Sequence, residues 1–209
     1  MNTANISVNA QSSIRIAGAK ILYFDPFQIS ESLHDADIIL ITHAHSDHFD
    51  PKSIERAAGG NTVFVAPAGM AQEVRKAIGG ARLVSMSPGD QQDIDGISIQ
   101  AVPAYNHLKP FHPKRNRWNG YIVTMDGVRY YVAGDTDALK ELQSVSCDVA
   151  LVPIGGTFTM TAKEAAKLIN EIRPRAAIPI HYGSIVGKPE DADVFRKLVD
   201  PGITVETKL

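Results

Sequence analysis

The chain carries at residues 38–48 the stretch Ile38-Ile39-Leu40-Ile41-Thr42-His43-Ala44-His45-Ser46-Asp47-His48. Its first five residues are aliphatic or β-branched, which predicts a buried strand over residues 38–42. The next six residues include three imidazoles and one carboxylate, side chains that bind zinc, manganese or iron. Asp50-Pro51 follows, and a capping aspartate before a proline is typical of a helix start. The stretch therefore predicts a metal-binding turn between a strand and a helix.

The spacing within this turn sorts its four polar side chains into two directions. His43 and His45 alternate along an extended chain and point the same way, whereas Asp47 and His48 approach from another direction. Such a geometry can hold two cations side by side. The alternative is a solvated polar turn, but four such groups beside a buried strand favour metal binding.

Outside this stretch the chain alternates between strand-like and helix-like segments. β-Branched and aromatic runs predict strands at 13–16, 20–24, 38–42, 62–66, 81–85, 97–102, 121–125, 128–133, 149–154 and 176–180. Helix start and stop signals, among them a capping box from Thr161 to Glu164, predict helices at 52–58, 68–78, 162–172 and 190–199. The pair Asp126-Gly127 predicts a tight hairpin. This mixture fits two sheets sandwiched between helices, and periodicity by itself also fits other α/β arrangements.

Composition narrows the class of protein. The 209 residues are 44% apolar with a formal net charge of -2, which fits one domain over residues 1–209 and no broad surface for nucleic acid. Cys147 is the only cysteine, which excludes an intrachain disulfide and a cysteine-rich zinc site. The sequence has neither a signal-like N-terminus nor an apolar run of about 20 residues. We expect a cytoplasmic protein acting on a small molecule, without a nucleic-acid or membrane partner.

One turn cannot complete a coordination sphere, so further ligands are expected at the ends of other strands. Asp135 follows the predicted strand 128–133 and Gly134, and His181 follows the predicted strand 176–180. Taken alone, Asp135 fits a turn or helix cap equally well, and His181 fits a buried core histidine. Together with residues 43–48 they predict a metal centre in which Asp135 can bridge two cations.

This set of residues resembles the metallo-β-lactamase superfamily. The hallmark H-x-H-x-D-H appears as His43-x-His45-x-Asp47-His48, Gly134-Asp135-Thr136 matches the strand-terminal aspartate, and His181 matches the final histidine. Two further segments, at 23–27 and 151–160, look like the branch that contains the bacterial L-ascorbate-6-phosphate lactonase and other metal-dependent hydrolases. The resemblance spans residues 13–185.

The resemblance implies a four-layer αββα sandwich with the site at one edge of its two sheets. It implies one or two divalent cations, Zn²⁺ first and Mn²⁺ or Fe²⁺ as alternatives, bound by His43, His45, Asp47, His48, Asp135 and His181. The implied reaction is attack of activated water on a small ester, lactone or phosphoester, with Asp47 as the catalytic group that orients the water and accepts its proton. Assembly into a homo-oligomer is a further implication.

One position departs from the family pattern. The family usually supplies a third histidine after a middle strand, and in this chain that position falls on Asn106. His107 can replace it only if the strand has ended or bulged, because successive strand residues face opposite sides. His112, on the following loop, is an equal candidate. A single strongly bound metal and a non-catalytic metal-binding scaffold are the alternatives that this departure leaves open.

Substrate contacts are expected near this loop and near His181. Lys109, Lys114, Arg115, Arg117 and Trp118 indicate either a mobile basic lip that favours an anionic substrate or an ordinary solvated loop. The residues expected to bind substrate are Asn106, His112, Lys114 and Tyr182. The alternative function is a metal-dependent nuclease or phosphodiesterase acting on nucleic acid, which the even spread of charge disfavours.

Overall fold

Two β-sheets form the centre of the protein, which the computed structural model describes from residue 3 to residue 209. The first sheet runs in the order β1 (Ile6–Val8), β2 (Ile14–Ala17), β3 (Ile21–Phe24), β4 (Ala36–Leu40), β5 (Ala58–Pro67) and β6 (Leu83–Met86). The second runs β13 (Thr204–Val205), β12 (Ala176–Ile180), β11 (Val149–Pro153), β10 (Val128–Val132), β9 (Asn119–Met125), β8 (Ile97–Pro103) and β7 (Gln91–Ile94). Strands β3 to β6 are mutually parallel, as are β10 to β13. The predicted domain range 1–209 begins two residues outside the described part.

Helices cover the outer face of each sheet. The helices are α1 (Pro51–Ala57), α2 (Ala71–Ile78), α3 (Ala162–Ile172) and α4 (Asp191–Leu198). One buried cluster joins the inner faces of both sheets, one joins α1 and α2 to the first sheet, and one joins α3 and α4 to the second sheet. The predicted αββα sandwich is therefore confirmed, and no helix within residues 3–209 is long and apolar enough to cross a membrane.

This layering explains why some strands read as continuous apolar runs. All residues of β11 and β12 are buried, because α3 and α4 cover one face of these strands and the first sheet covers the other. Helix α3 buries Ala165, Leu168 and Ile169, whose three- and four-residue spacing places them on one face. Its predicted capping box is present, since the side chains of Thr161 and Glu164 each accept a hydrogen bond from the other residue's backbone.

The predicted elements differ from the structure mainly at short or polar segments. Strands β1, β7 and β13 were not predicted, because β1 and β13 have three and two residues and β7 exposes all but its last residue. The helix predicted at 68–78 is divided, with a 3-10 turn at Ala68–Met70 before α2. The predicted hairpin is confirmed: Met125 pairs with Val128, and Asp126 and Gly127 both have positive φ.

The carboxyl ends of the central parallel strands meet at one edge of the sandwich. The Asn119 backbone N–H donates to the Thr42 carbonyl at 3.2 Å, and the Tyr121 hydroxyl donates to the Ile41 carbonyl at 2.7 Å, so the two sheets are joined there. Loops beyond the carboxyl ends of parallel strands are the usual location of ligand sites in α/β proteins. The residues singled out after β4, β10 and β12 all lie at this edge.

Candidate metal centre

The turn after β4 is compact and tied to helix α1. The backbone N–H groups of His48 and Phe49 both donate to the His45 carbonyl, at 2.9 and 2.8 Å. The Asp50 side chain then accepts from the backbone of Lys52 and Ser53 and caps α1. These bonds direct the side chains of residues 43–48 towards the space beyond the strand ends.

Three histidines form one potential metal-binding group. Ligand nitrogens of His43, His45 and His112 lie within 4.8 Å of one another, and His43 Nε2 is 3.1 Å from His45 Nδ1. The Trp118 ring packs against all three imidazoles, with centroid distances of 5.0, 5.2 and 5.6 Å. We call these residues the three-histidine group.

A second potential group mixes carboxylate and imidazole. Ligand atoms of Asp47, His48 and His181 also lie within 4.8 Å of one another. Asp47 Oδ2 is 3.3 Å from His181 Nε2 and 3.6 Å from His48 Nε2. We call these residues the mixed group.

Asp135 lies between the two groups. Its carboxylate oxygens are 3.3 Å from His181 Nε2, 3.4 Å from His48 Nε2 and 3.4 Å from His112 Nε2. Gly134 makes this position accessible, because its φ is +64° and a Cβ there would lie 3.1 Å from the Thr42 Cβ. The placement is the one expected of a carboxylate that bridges two cations.

The residues present fit a divalent cation. The Nε2 atoms of His48, His112 and His181 and the Oδ1 atom of Asp135 are buried and have no hydrogen-bond partner. Buried polar atoms are normally paired, and leaving one unpaired costs about 1–3 kcal/mol. These orphaned atoms all face the same small volume, and their nitrogen and oxygen chemistry suits Zn²⁺, Mn²⁺ or Fe²⁺.

Asp25 supports this centre from behind and was not predicted as a site residue. It is fully buried and accepts hydrogen bonds from the Thr42 backbone N–H at 2.7 Å, the Thr42 hydroxyl at 2.6 Å and His48 Nδ1 at 2.7 Å. Asp25 lies within 4.8 Å of imidazole nitrogens of His43 and His48, but its oxygens are already engaged by these donors. A carboxylate in this position fixes the imidazole so that Nε2 faces the metal. The sequence signal was a polar residue directly after the buried strand β3.

The backbone at two of these residues is strained. Asp25 and His181 have φ values of 44° and 55°, in the left-handed region that residues other than glycine adopt in only a few per cent of cases. Each such residue costs about 1–3 kcal/mol and persists where the surrounding structure enforces it. Both follow the last residue of a parallel strand, so the strain turns their side chains into the centre.

Asn106 does not take the ligand position but holds the residue that does. Its Oδ1 accepts from His112 Nδ1 at 2.8 Å, while its Nδ2 donates to Asp137 at 3.0 Å and to the Phe158 carbonyl at 2.9 Å. His112 is fully buried in the three-histidine group. His107 is exposed and outside both groups, and its backbone N–H donates to Asp137. The structure therefore brings His112, and not His107, to His43 and His45, because the loop that follows Pro103 turns back and the Asn106 backbone N–H donates to the His112 carbonyl at 2.8 Å.

The two groups differ in protonation. Burial and the charge of His48 hold the pKa of His43 well below its usual value, and burial lowers the pKa of His45. In the mixed group burial acts the same way, but the charges of Asp135 and Asp47 prevail and raise the pKa of His181 to about 10. The charges of Asp135 and Asp25 likewise raise the pKa of His48 against the effect of burial. Burial opposes ionisation of Asp135, yet His181 and His48 hold its pKa well below the usual value.

A small cavity of about 230 Å³ opens onto the centre. It is lined by Phe27, His45, Ser46, Asp47, Phe111, Asp135, Phe158, His181 and Ile185. Asp47 is therefore the carboxylate of the mixed group that faces both the candidate ligands and the open space.

The other residues expected to bind substrate do not line this cavity. Lys114 Nζ contacts Glu141 and the Tyr105 hydroxyl, each at 3.1 Å, and Tyr182 lines a different cavity. The amide of Asn106 is fully used by His112, Asp137 and Phe158, and His112 is fully buried within the three-histidine group. Of the basic residues on this loop, Lys109 is held in place, because its ammonium donates to Asp137 at 2.7 Å and to the Thr159 carbonyl at 2.5 Å.

Comparison with known sequences identifies similar proteins. The profile of the β-lactamase superfamily domain matches residues 9–181. A UPF0173 metal-dependent hydrolase from Pyrococcus abyssi is 36% identical over 198 residues, which cover 88% of this chain and 87% of that protein. A second, from Thermococcus onnurineus, is 34% identical over 201 residues, covering 90% and 88%.

Comparison with solved structures also identifies metal-dependent hydrolases as similar proteins. A crystal structure of a protein from Parabacteroides distasonis, assigned as a metal-dependent hydrolase, has a TM-score of 0.79 and 32% identity over 98% of this chain and 92% of that one. The metallo hydrolase Igni18 from Ignicoccus hospitalis has a TM-score of 0.78 over 97% of this chain and 93% of that one. Its 23% identity limits that likeness to the fold.

Proposed function

Because the chain belongs to the metallo-β-lactamase superfamily and is a metal-dependent hydrolase, we propose that it uses one or two divalent cations, Zn²⁺ first among them, to hydrolyse a small ester, lactone or phosphoester. We propose further that residues 1–209 act as one catalytic domain in the cytoplasm, and that the chain forms homo-oligomers. Kinship with the branch of the L-ascorbate-6-phosphate lactonase is part of the same proposal, and it rests on the segments at 23–27 and 151–160.

One observation carries the proposal. Four buried atoms without hydrogen-bond partners, on His48, His112, His181 and Asp135, converge from four separate parts of the chain. A structural role would have paired these atoms, since most buried polar groups in proteins are hydrogen-bonded. The family's third histidine is replaced in this chain by Asn106. We propose that His112 takes its role, since its ligand nitrogen lies within 4.8 Å of those of His43 and His45. This arrangement supports a catalytic centre over a non-catalytic scaffold.

The chain's own groups have distinct tasks in such a reaction. A cation bound here supplies acidified water and a positive charge for the developing oxyanion. Asp47, with its side chain 17% exposed at the cavity, accepts the proton of the attacking water and returns it to the leaving oxygen. Asp25 and Asn106 keep the imidazoles of His48 and His112 in fixed orientations.

Metal reconstitution tests this proposal. Protein stripped with a chelator and reloaded with Zn²⁺, Mn²⁺ or Fe²⁺ is assayed on p-nitrophenyl acetate, dihydrocoumarin and bis-p-nitrophenyl phosphate, with metal content measured in parallel. We expect no turnover without metal and recovery with at least one cation. Asp47→Asn should lower kcat by about 100-fold or more while the protein stays folded. Glu55→Gln, on the exposed side of α1, is the matched control and should leave kcat unchanged.

Two results would contradict the proposal. Stoichiometric metal binding without turnover of any of the three substrates would identify a scaffold. Metal-independent turnover would show that the reaction does not use this centre.

A further inference from the structure

The walls of the cavity over the metal centre are apolar. Phe27 and Phe158 are half-buried, Phe111 is 42% exposed and Ile185 is 50% exposed, and all four line the cavity beside Asp47 and His181. The rings of Phe111 and Phe158 pack edge to face with centroids 4.6 Å apart. Partly exposed aromatic side chains that meet over a polar centre are typical of a surface that a ligand covers.

Apart from the imidazoles of the centre and any cation that they bind, the cavity walls carry no positive charge. Neither lysine nor arginine is among the cavity-lining residues of the described chain. Of the lysines that the sequence suggested for a basic lip, Lys109 pairs with Asp137 and Lys114 pairs with Glu141. An anionic group on the substrate, away from the reacting bond, would therefore face phenyl rings and the carboxylate of Asp47. Burial of an unpaired charge against apolar surface is strongly unfavourable.

The cavity is also small. Its volume of about 230 Å³ lies below the usual range of about 300–1,000 Å³ for pockets that enclose drug-sized ligands. It accommodates the reacting group and a compact substituent, but not a nucleotide or a polymer enclosed within its walls.

From these three features, we infer that the substrate is an uncharged carboxylic ester or lactone whose acyl side carries a compact apolar group, which packs against Phe27, Phe111, Phe158 and Ile185. This inference rests on the proposed hydrolytic function and narrows its substrate class, replacing the expected anionic substrate. In the reaction, the oxygen of water forms a bond to the acyl carbon and the bond from that carbon to the alkoxy oxygen breaks. The water proton passes through Asp47 to the leaving oxygen, so that a carboxylic acid and an alcohol result.

A matched pair of substrates tests the charge preference. p-Nitrophenyl valerate and mono-p-nitrophenyl glutarate have acyl chains of equal carbon number, but glutarate ends in a carboxylate. We expect kcat/KM for valerate to exceed that for glutarate by more than about tenfold. Along the series acetate, propionate and butyrate, kcat/KM should rise about fourfold per methylene group, as expected for burial of CH₂. Equal values for valerate and glutarate, or a flat series, would overturn the inference.

Variants of the wall residues test its location. Phe111→Ala should lower kcat/KM for valerate by about tenfold and change that for acetate less, because the lost contact is with the acyl chain. Leu108→Ala is the matched control, since Leu108 lies on the same loop, is 98% exposed and does not line the cavity. Ile185→Lys should shift the preference towards glutarate by adding a cation at the rim. Equal losses for Phe111→Ala and Leu108→Ala, or no shift with Ile185→Lys, would overturn the assignment.

A binding measurement separates this inference from the proposed function. The methyl resonances of Ile185 and Leu108 are followed while 2-heptanone or glutarate is added to the metal-loaded protein. We expect 2-heptanone to shift Ile185 and not Leu108, with glutarate shifting Ile185 less. If 2-heptanone shifts Ile185 but no ester is hydrolysed, the apolar site stands and the hydrolytic function fails. If phosphodiesters are hydrolysed and 2-heptanone has no effect, the function stands and this inference fails.

Discussion

The three-histidine group and the mixed group share Asp135 but are built in different ways. The mixed group uses Asp47 and His48 from the turn after β4 and His181 from the end of β12. The three-histidine group takes His43 and His45 from the same turn, but its third member, His112, comes from the long loop between β8 and β9. One group is therefore fixed by strand ends, and the other depends on how a loop folds.

The two groups also differ in the charge that surrounds them. Asp47, Asp135 and Asp25 all contact the histidines of the mixed group, and they raise the pKa values of His48 and His181. In the three-histidine group, burial dominates and keeps the pKa values of His43 and His45 low. His43 and His45 are therefore neutral and ready to bind a cation, whereas His48 and His181 of the mixed group must lose protons first.

Removal of the loop histidine, His112, should have the largest effect on metal content and kcat. His112→Ala leaves the three-histidine group with two imidazoles, so we expect the loss of one metal equivalent where the wild type binds two, and a fall in kcat of more than about 100-fold. Metal analysis after dialysis and initial rates measure both quantities. His107→Ala, a change of the neighbouring exposed histidine, is the control and should match the wild type. If His107→Ala has the effect and His112→Ala does not, the loop has been assigned incorrectly.

Removal of the buried carboxylate behind His48 should have the next largest effect. Asp25→Asn removes the charge that orients His48 Nδ1, so metal affinity should fall about 10- to 100-fold, the usual cost of losing such a partner. Competition with a chromogenic chelator measures the change. The matched control is Asp95→Asn, which removes a surface carboxylate paired with Arg82 and should leave affinity unchanged. Unaltered affinity in Asp25→Asn would mean that Thr42 alone holds the turn.

The pH dependence of metal binding should separate the two groups. Below a pKa of about 10, His181 of the metal-free protein carries a proton that a cation must displace, so affinity for the mixed group should weaken as pH falls. His112→Ala reports on the mixed group, and we expect its dissociation constant to rise about tenfold per unit between pH 8.5 and 6.5 for each proton displaced. His181→Ala reports on the three-histidine group and should vary less over this range. Equal slopes would contradict the assigned difference in protonation.

The same contrast explains which parts of the candidate site could be predicted from the sequence. The strands β4, β10 and β12 are continuous apolar runs, and the residue types that follow them are rare enough beside buried strands to indicate metal ligands. His43, His45, Asp47, His48, Asp135 and His181 could therefore be selected before any fold was known, and the structure brings all six together. The local spacing of residues in the sequence therefore predicts well which side chains lie at the end of a buried strand.

Loop residues could not be predicted in the same way. The order Asn106, His107, His112 leaves the position of each side chain undetermined, because fifteen residues between β8 and β9 have no period that fixes a direction. The structure resolves this through contacts distant in sequence, since Asp137 accepts from Asn106, His107 and Lys109, and the Phe158 carbonyl accepts from Asn106. Asp25 was missed for a similar reason: its role depends on His48, which is 23 residues away.

Removal of the Asn106 side chain that holds His112 should have the smallest effect on metal affinity. This change tests whether the loop is as rigid as the strand ends. Asn106→Ala removes the acceptor for His112 Nδ1 and two donor contacts, so metal affinity should fall about tenfold, at the low end for such partners. Asn106→Asp keeps the acceptor for His112 but places a carboxylate oxygen against Asp137 and the Phe158 carbonyl, so it should recover only part of the affinity. Arg115→Ala, an exposed change on the same loop, is the control. If Asn106→Ala binds metal as tightly as the wild type, His112 is held by packing against Trp118. The loop would then fix this imidazole without the hydrogen bond to Asn106.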